Sequence, residues 1–220
     1  MGSGKENRFF LEHSEAVLEL FHSESPPEQI LLARSRYSEE PSFWHELAQK
    51  RPSCTWYLLE DERLDKMVTV RSFGGVCGLF APRPASESEL REKRFLLLTW
   101  ELQDPGNLGT LIRSCAAFTS GGVVVVGGCR LWSSKVARAS AGSLLRVPAR
   151  QIPLERGISF LKSLKSSQTG IYSTLPRGGR LLTRWKPAAH SAVVLGNETH
   201  GLTDEVQKFT EPLTIPRSLR

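Results

Sequence analysis

The chain has 220 residues, 40% hydrophobic and 24% charged, room for two modest domains of ordinary globular composition. It holds no run of about 18 apolar residues, so no helical membrane span is expected, and its opening Met1-Gly2-Ser3-Gly4-Lys5 lacks the apolar core of a secretory signal. The net charge of +6 is unevenly divided: residues 1–82 hold 9 Lys and Arg against 13 Asp and Glu (net −4), and residues 83–220 hold 20 against 10 (net +10), which assigns the holding of any polyanion chiefly to the second part.

In the first part, Ser14 is placed to cap a helix over Glu15–His22 with Ala16, Val17, Leu20 and Phe21 on one face. Strands are predicted at Gln29–Ala33, Thr55–Leu59 and Gly75–Ala81, with helices near Phe43–Gln49 and Glu62–Met67. This describes a small α/β sandwich over 1–82. The polar, proline-bearing stretch 83–93 reads as a linker.

The pattern sharpens over 94–220. Phe95–Leu102 is an almost continuous apolar run, as a strand covered on both faces would be. A turn at Asp104-Pro105-Gly106-Asn107 leads to a helix over Leu108–Phe118, and Gly122–Val126 is a second buried strand. Helices follow near Ser134–Ser143 and Leu154–Ser166, strands at Gly170–Ser173 and Ala192–Leu195, a helix near Thr203–Phe209 and a short strand at Pro212–Ile215. Such alternation predicts a parallel sheet in a three-layer α/β domain, with functional residues at the strand C-terminal ends.

Cys54, Cys77, Cys115 and Cys129 form no CxxC pair, and Cys77 and Cys115 have apolar neighbours. Free thiols in a reducing compartment are expected. No His or Cys cluster has zinc spacing, so no metal is expected. The expected location is cytoplasmic, or mitochondrial or plastid had a transit peptide been removed.

Three stretches carry chemistry. In Gln103-Asp104-Pro105-Gly106-Asn107-Leu108-Gly109-Thr110-Leu111-Ile112-Arg113-Ser114 a buried strand turns into a helix that bears Arg113, and Asn107 can bond backbone or substrate. The same residues also describe a plain β–α turn whose Asn caps the helix and whose Arg is solvated; composition does not choose between the two. GxGxxG spacing is absent, which disfavours a dinucleotide site. In Val194-Leu195-Gly196-Asn197-Glu198-Thr199-His200-Gly201-Leu202-Thr203, Glu198 between two glycines is an odd place for a merely solvated charge, whereas His200 alone reads more readily as a loop histidine. Leu213-Thr214-Ile215-Pro216 is a short strand ending in proline.

In this order and spacing the three stretches resemble the motifs of the SpoU–TrmH family of SPOUT RNA 2′-O-methyltransferases, over about 73–220. Arg138-Ala139-Ser140-Ala141-Gly142-Ser143 and Val147-Pro148 are similar to that family's intermediate segment. The front unit, with Phe73-Gly74-Gly75-Val76-Cys77-Gly78, resembles its ribosomal-protein L30-like substrate-binding domain. The resemblance implies a trefoil-knotted sheet, a homodimer with a shared site, S-adenosyl-L-methionine as cofactor, and RNA as partner, ribosomal RNA rather than transfer RNA. It assigns Asn107, Arg113 and Glu198 to catalysis or the substrate, and Gly196, Asn197, Ile215, Pro216 and Leu219 to the cofactor. On this reading Arg113 stabilises the developing alkoxide and Glu198 orients Arg113 or the ribose.

One departure stands out. The family pattern runs on from Ile-Pro through a glycine-containing loop to Ser-Leu-Asn and a closing helix. Here Ile215-Pro216 is followed by Arg217-Ser218-Leu219-Arg220. For a chain that stops there, an incomplete knot and poor cofactor affinity are expected. This keeps open a second reading, a catalytically silent RNA-binding or ribosome-assembly protein on the same fold.

Overall fold

The computed structural model describes residues 8–69, 73–119 and 121–215. They divide into two compact units, the first of residues up to Arg83 together with Trp132–Arg146, the second of Pro84–Leu131 and the chain from Val147 onward.

The front unit holds a four-stranded sheet of β1 (Phe9–Leu11), β2 (Gln29–Ala33), β3 (Thr55–Leu59) and β4 (Val76–Phe80), in the order β1-β4-β2-β3. β4 runs antiparallel to both neighbours, and β2 and β3 are parallel. Helix α1 (Ser14–Phe21) buries the four apolar residues expected of it, but Ser14 is not its cap. His13 does that work, its Nδ1 accepting from Ala16 N at 3.3 Å. The Ser14 hydroxyl instead donates to the Phe73 carbonyl and accepts from Val76 N at 3.1 Å, pinning the helix start to the entry of β4. Helices α2 (Arg34–Glu39), α3 (Pro41–Lys50) and α4 (Asp61–Asp65) complete the front part; Leu64 of α4 packs with Leu31, Ala33, Phe73 and Cys77.

Segment 132–146 lies in the rear half of the sequence yet folds with the front unit. Its helix α7 (Ser134–Ala139) runs beside β1, with the Ser134 hydroxyl accepting from Phe10 N at 3.0 Å. Arg138 pairs with the buried carboxylate of Glu12 at 3.4 Å, and Glu12 also accepts from the Thr69 amide at 3.1 Å and hydroxyl at 2.8 Å. At Gly142 the backbone presses on α1: a Cβ would lie 3.1 Å from that of Ala16. Burial of Val136, Ala137 and Leu144 drives this docking.

The rear unit is built on a seven-stranded sheet, parallel at every pairing. Its strands are β5 (Phe95–Trp100), β6 (Gly122–Val126), β7 (Ala149–Ile152), β8 (Gly170–Leu175), β9 (Arg180–Leu181), β10 (Ser191–Leu195) and β11 (Glu211–Thr214), ordered β7-β6-β5-β10-β8-β11-β9. Stretch 83–93, read from the sequence as a linker, carries α5 (Glu87–Arg91), capped by Ser86, with Leu90 buried in the rear core. Leu96, Leu98, Trp100, Val124 and Val126 pack with Phe160, Leu161 and Leu164 of α8 (Leu154–Ser166) and with Val206 of α9 (Asp204–Gln207). The opposite parity (Leu97, Thr99, Val123, Val125) is buried too, on the face covered by α6 (Pro105–Phe118). β5→β6 and β7→β8 advance in opposite directions across the sheet, so right-handed crossovers put α6 and α8 on opposite faces.

This order puts β10 next to β5, although 90 residues of chain separate Trp100 from Ser191. The chain leaves β5 toward one edge and later fills the gap from the other side. That is a topological switch point, where the loops leaving two neighbouring strands diverge and open a crevice.

Candidate active site

Each wall of the crevice follows from local chemistry. β5 ends at Trp100, and Glu101 takes a left-handed backbone (φ 54°), unusual for a residue with a Cβ. Asp104 then caps α6, its carboxylate accepting from Asn107 N at 2.7 Å, with Pro105 in the first turn where a missing N–H costs nothing. Asn107 is therefore not the cap, and its side chain is free for another task. Its Nδ2 donates to Glu198 Oε1 at 3.0 Å.

Glu198 comes from the corner after β10. Asn197 and Gly201 close a tight loop, exchanging backbone hydrogen bonds of 3.1 and 2.9 Å. Asn197 Oδ1 accepts from the amides of Thr199 (2.8 Å) and His200 (3.2 Å), and its Nδ2 reaches the Glu101 carbonyl at 2.9 Å. One side chain thus shapes the loop and ties it to the end of β5. Gly196 is needed for the closure: a Cβ there would sit 2.5 Å from the carbonyl carbon of Gly201. The Asn107 amide is the main cause that holds the Glu198 carboxyl below the usual carboxylate range; partial burial opposes it, and the amides of Glu198, Gln103 and Asp104 add to it.

A third corner was not recognised from the sequence. Gly127 and Gly128 after β6 both have positive φ (60° and 66°), and the Leu102 carbonyl leaves no space for a Cβ at Gly128. Cys129 N donates to that same carbonyl at 2.8 Å. The doublet Gly127-Gly128 was the available signal. Thr174, Leu175 and Pro176 at the end of β8 form the far wall. The corners after β5, β8 and β10 enclose a cleft of about 640 Å³, lined also by Leu102, Thr110, Leu195 and Gln207; Gly127 and Gly128 brace the Leu102 carbonyl beside it and do not line it.

Of the residues assigned from the sequence, Asn107, Gly196, Asn197 and Glu198 meet at this cleft. Arg113 does not line it: six residues on from Asn107, it stands about 9 Å along the helix and on another side. It is exposed, and its side chain makes no ion pair or hydrogen bond among the described residues; within the chain Glu198 meets Asn107, which leaves the other expectation for Glu198, orientation of the ribose. Ile215 lies just past β11, 54% exposed and off the cleft wall. Pro216 and Leu219 lie outside the described residues, as does the segment that would complete a knot. His200 lines the cleft with an exposed ring. Among the described residues no group of His, Cys, Asp or Glu is arranged to hold a metal ion.

A family described as the SpoU rRNA Methylase family matches residues 94–218. The chain belongs to this family. Among curated relatives of this SpoU-family chain, an uncharacterized tRNA/rRNA methyltransferase of Synechocystis is 30% identical over 164 residues, covering 74% of the chain and 59% of the relative. A 23S rRNA guanosine 2′-O-methyltransferase of Bacillus subtilis is 27% identical over 161 residues, covering 70% of the chain and 60% of the relative. The chain thus spans about three fifths of the length of these two relatives. Its fold is that of an AdoMet-bound rRNA methyltransferase from Sinorhizobium meliloti, with a TM-score of 0.82 at 19% identity over 97% of this chain and 80% of that one.

Proposed function

We propose that this chain transfers a methyl group from S-adenosylmethionine to a ribose 2′-hydroxyl of RNA, with ribosomal RNA as the substrate class. The observation that carries the reading is the Asn107–Glu198 hydrogen bond, which joins two sequence-distant corners over one cleft. The relatives lend support: the B. subtilis protein is named for 2′-O-methylation of 23S rRNA, and the S. meliloti structure was obtained with AdoMet bound.

The cleft suits the cofactor. Its volume falls within the range of about 300–1,000 Å³ typical of small-molecule sites. Leu102, Leu175, Pro176 and Leu195 supply apolar walls, and the glycine at 196 lets backbone close on a ligand. A carboxylate kept ionised at the rim complements a sulfonium cation. The cofactor, when bound, supplies an already activated methyl group. Gly196 and Asn197 would hold it, with Ile215, Pro216 and Leu219 as the further contacts implied by the family pattern.

The remaining task is in-line placement of a feeble nucleophile and disposal of its proton. Glu198, steadied by Asn107, orients the target ribose. Arg113 binds the neighbouring RNA phosphate and stabilises the developing alkoxide; a guanidinium is too weak a base to take the proton itself, which passes to phosphate or water. Because Arg113 stands off the cleft of its own chain, a homodimer in which one protomer's Arg113 serves its partner's cleft is part of the proposal. The front unit presents the RNA.

The test is nucleoside analysis of unmodified ribosomal RNA transcripts after incubation with protein and labelled S-adenosylmethionine. Appearance of a 2′-O-methylnucleoside, its loss in Arg113→Ala, and cofactor affinity in that variant within about threefold of wild type are the expected results. Equal loss of turnover and cofactor affinity would count against the role given to Arg113. Cofactor binding without methylation of any transcript would favour the silent RNA-binding reading.

A further inference from the structure

The connection from β8 to β10, residues 176–190, reads Pro-Arg-Gly-Gly-Arg-Leu-Leu-Thr-Arg-Trp-Lys-Pro-Ala-Ala-His. It carries four cations, Arg177, Arg180, Arg184 and Lys186, and no Asp or Glu. A solvated surface loop in an ordinary protein mixes both signs, and this one does not.

The connection is also fastened down. Gly179 donates its N–H to Thr214 Oγ1 at 2.9 Å and lies so close to β11 that a Cβ would be 2.7 Å from the Pro212 carbonyl. Arg180 and Leu181 pair with β11 as β9, and Arg180 forms an ion pair with Glu211 at 2.8 Å. Farther along, Trp185 meets the buried ring of Tyr172 edge-on at 4.9 Å. Between and beside these anchors Arg177, Arg184 and Lys186 are exposed and have no ion-pair or hydrogen-bond partner among the described residues. The strap begins at the cleft, because Pro176, the residue before Arg177, is part of the cleft wall.

Three unneutralised cations held on an anchored strap that starts at the rim of the proposed methyl-transfer cleft are suited to a polyanion entering that cleft. We infer that residues 177–186 form a phosphate rail, with Arg177, Arg184 and Lys186 gripping the backbone of the RNA strand that bears the target ribose. Anchoring matters because a rigid cation loses less side-chain and backbone freedom on contact than one on a loose loop. Arg180 is excluded from the rail, its charge being engaged by Glu211. The inference rests on the RNA-methyltransferase reading and extends it to the strand-holding surface.

The test compares the wild-type chain with Arg177→Ala/Arg184→Ala/Lys186→Ala and with a control, Lys162→Ala/Lys165→Ala on α8. Binding to unmodified ribosomal RNA transcripts is measured across a salt series, with S-adenosylmethionine affinity by calorimetry and binding to phosphatidylserine vesicles alongside. The strap variant is expected to bind RNA about 10- to 100-fold more weakly, with a log–log salt slope shallower by about 2. Its cofactor affinity should stay at the wild-type value, and the control should keep most of the wild-type RNA affinity. Wild-type RNA affinity and slope in the strap variant would overturn the rail, as would a loss confined to the vesicles. Failure of the wild-type chain to bind any transcript would instead remove the RNA reading itself, a different outcome in a different sample.

Discussion

Asn107 and Glu198, 91 residues apart, meet at 3.0 Å where β5 and β10 end side by side. An amide that donates to a carboxylate favours its charged form, so Glu198 keeps its charge to a lower pH than a free glutamate. The sign follows from that depressed pKa. The contribution of the ionised pair is fully present above the ordinary glutamate value of about 4.3 and is lost as pH falls through the lower value in the folded protein. Asn107→Ala should move the acid limb of cofactor binding and turnover to higher pH, and Asn107→Asp should move it further by setting two carboxylates together. Titration of Glu198 by NMR in the three proteins checks the order; an unchanged midpoint in Asn107→Ala would remove the coupling.

The rear sheet was legible because its central strands are buried on both faces and so appear as apolar runs: Phe95–Trp100, Gly122–Val126 and Ser191–Leu195. β7 was missed because two of its four residues are polar, and their partners are invisible in the chain. Arg150 donates to the Ala85 carbonyl at 2.9 Å, and Gln151 accepts from Leu131 N while donating to the carbonyls of Gly127 and Cys129. The docking of segment 132–146 on α1 and β1 was equally hidden, since it depends on tertiary contacts such as Gly142 against Ala16. At the site, the family resemblance pointed to Asn107 and Glu198, but which side chain Glu198 would meet depended on where helix α6 starts. Asp104 takes the cap and thereby frees Asn107.

Among the described residues of the rear sheet, the Thr99 hydroxyl and the Arg150 Nε are buried without a hydrogen-bond partner. Thr99, fully buried in β5, has a hydroxyl that bonds to nothing among the described residues. Replacing an unsatisfied hydroxyl by a methyl of similar size removes a desolvation penalty. Thr99→Val should therefore stabilise the chain by about 1 kcal/mol, measured as a higher urea midpoint at constant m. A loss of stability would mean that the hydroxyl has a partner, such as a buried water.

Two buried thiols, Cys54 and Cys77, should be inert in the folded chain. Burial is the main cause that pushes Cys77 up to about 12 and Cys54 to about 11, with the Glu12 charge adding at Cys77 and Arg51 opposing at Cys54. At pH 8 neither has an appreciable thiolate fraction, and thiolate is the reactive form. Iodoacetamide at pH 8 should leave both unmodified in native protein and label both in urea, read by mass spectrometry of the peptides. Rapid native labelling of Cys77 would imply that the front core opens easily.

Gly196 gives the sharpest test of how the cleft is built. Its backbone lies against Gly201, and an added Cβ would meet main-chain atoms of Gly201 and Leu202 at 2.5–2.8 Å, where no flexible side chain can yield. The Asn197–Gly201 loop must open, which pulls Asn197 Nδ2 off the Glu101 carbonyl and Glu198 away from Asn107. The strand itself stays paired through Ser191–Leu195, so the damage is confined to the corner. Gly196→Ala should cost about 1–3 kcal/mol of stability, the usual range for overpacking. It should weaken S-adenosylmethionine binding by more than about tenfold. Asn197→Ala, which removes the tie without adding bulk, should weaken cofactor binding in the same direction. Calorimetry on both variants separates the alternatives: if Gly196→Ala binds the cofactor as wild type does, the loop after β10 is not part of the cofactor site.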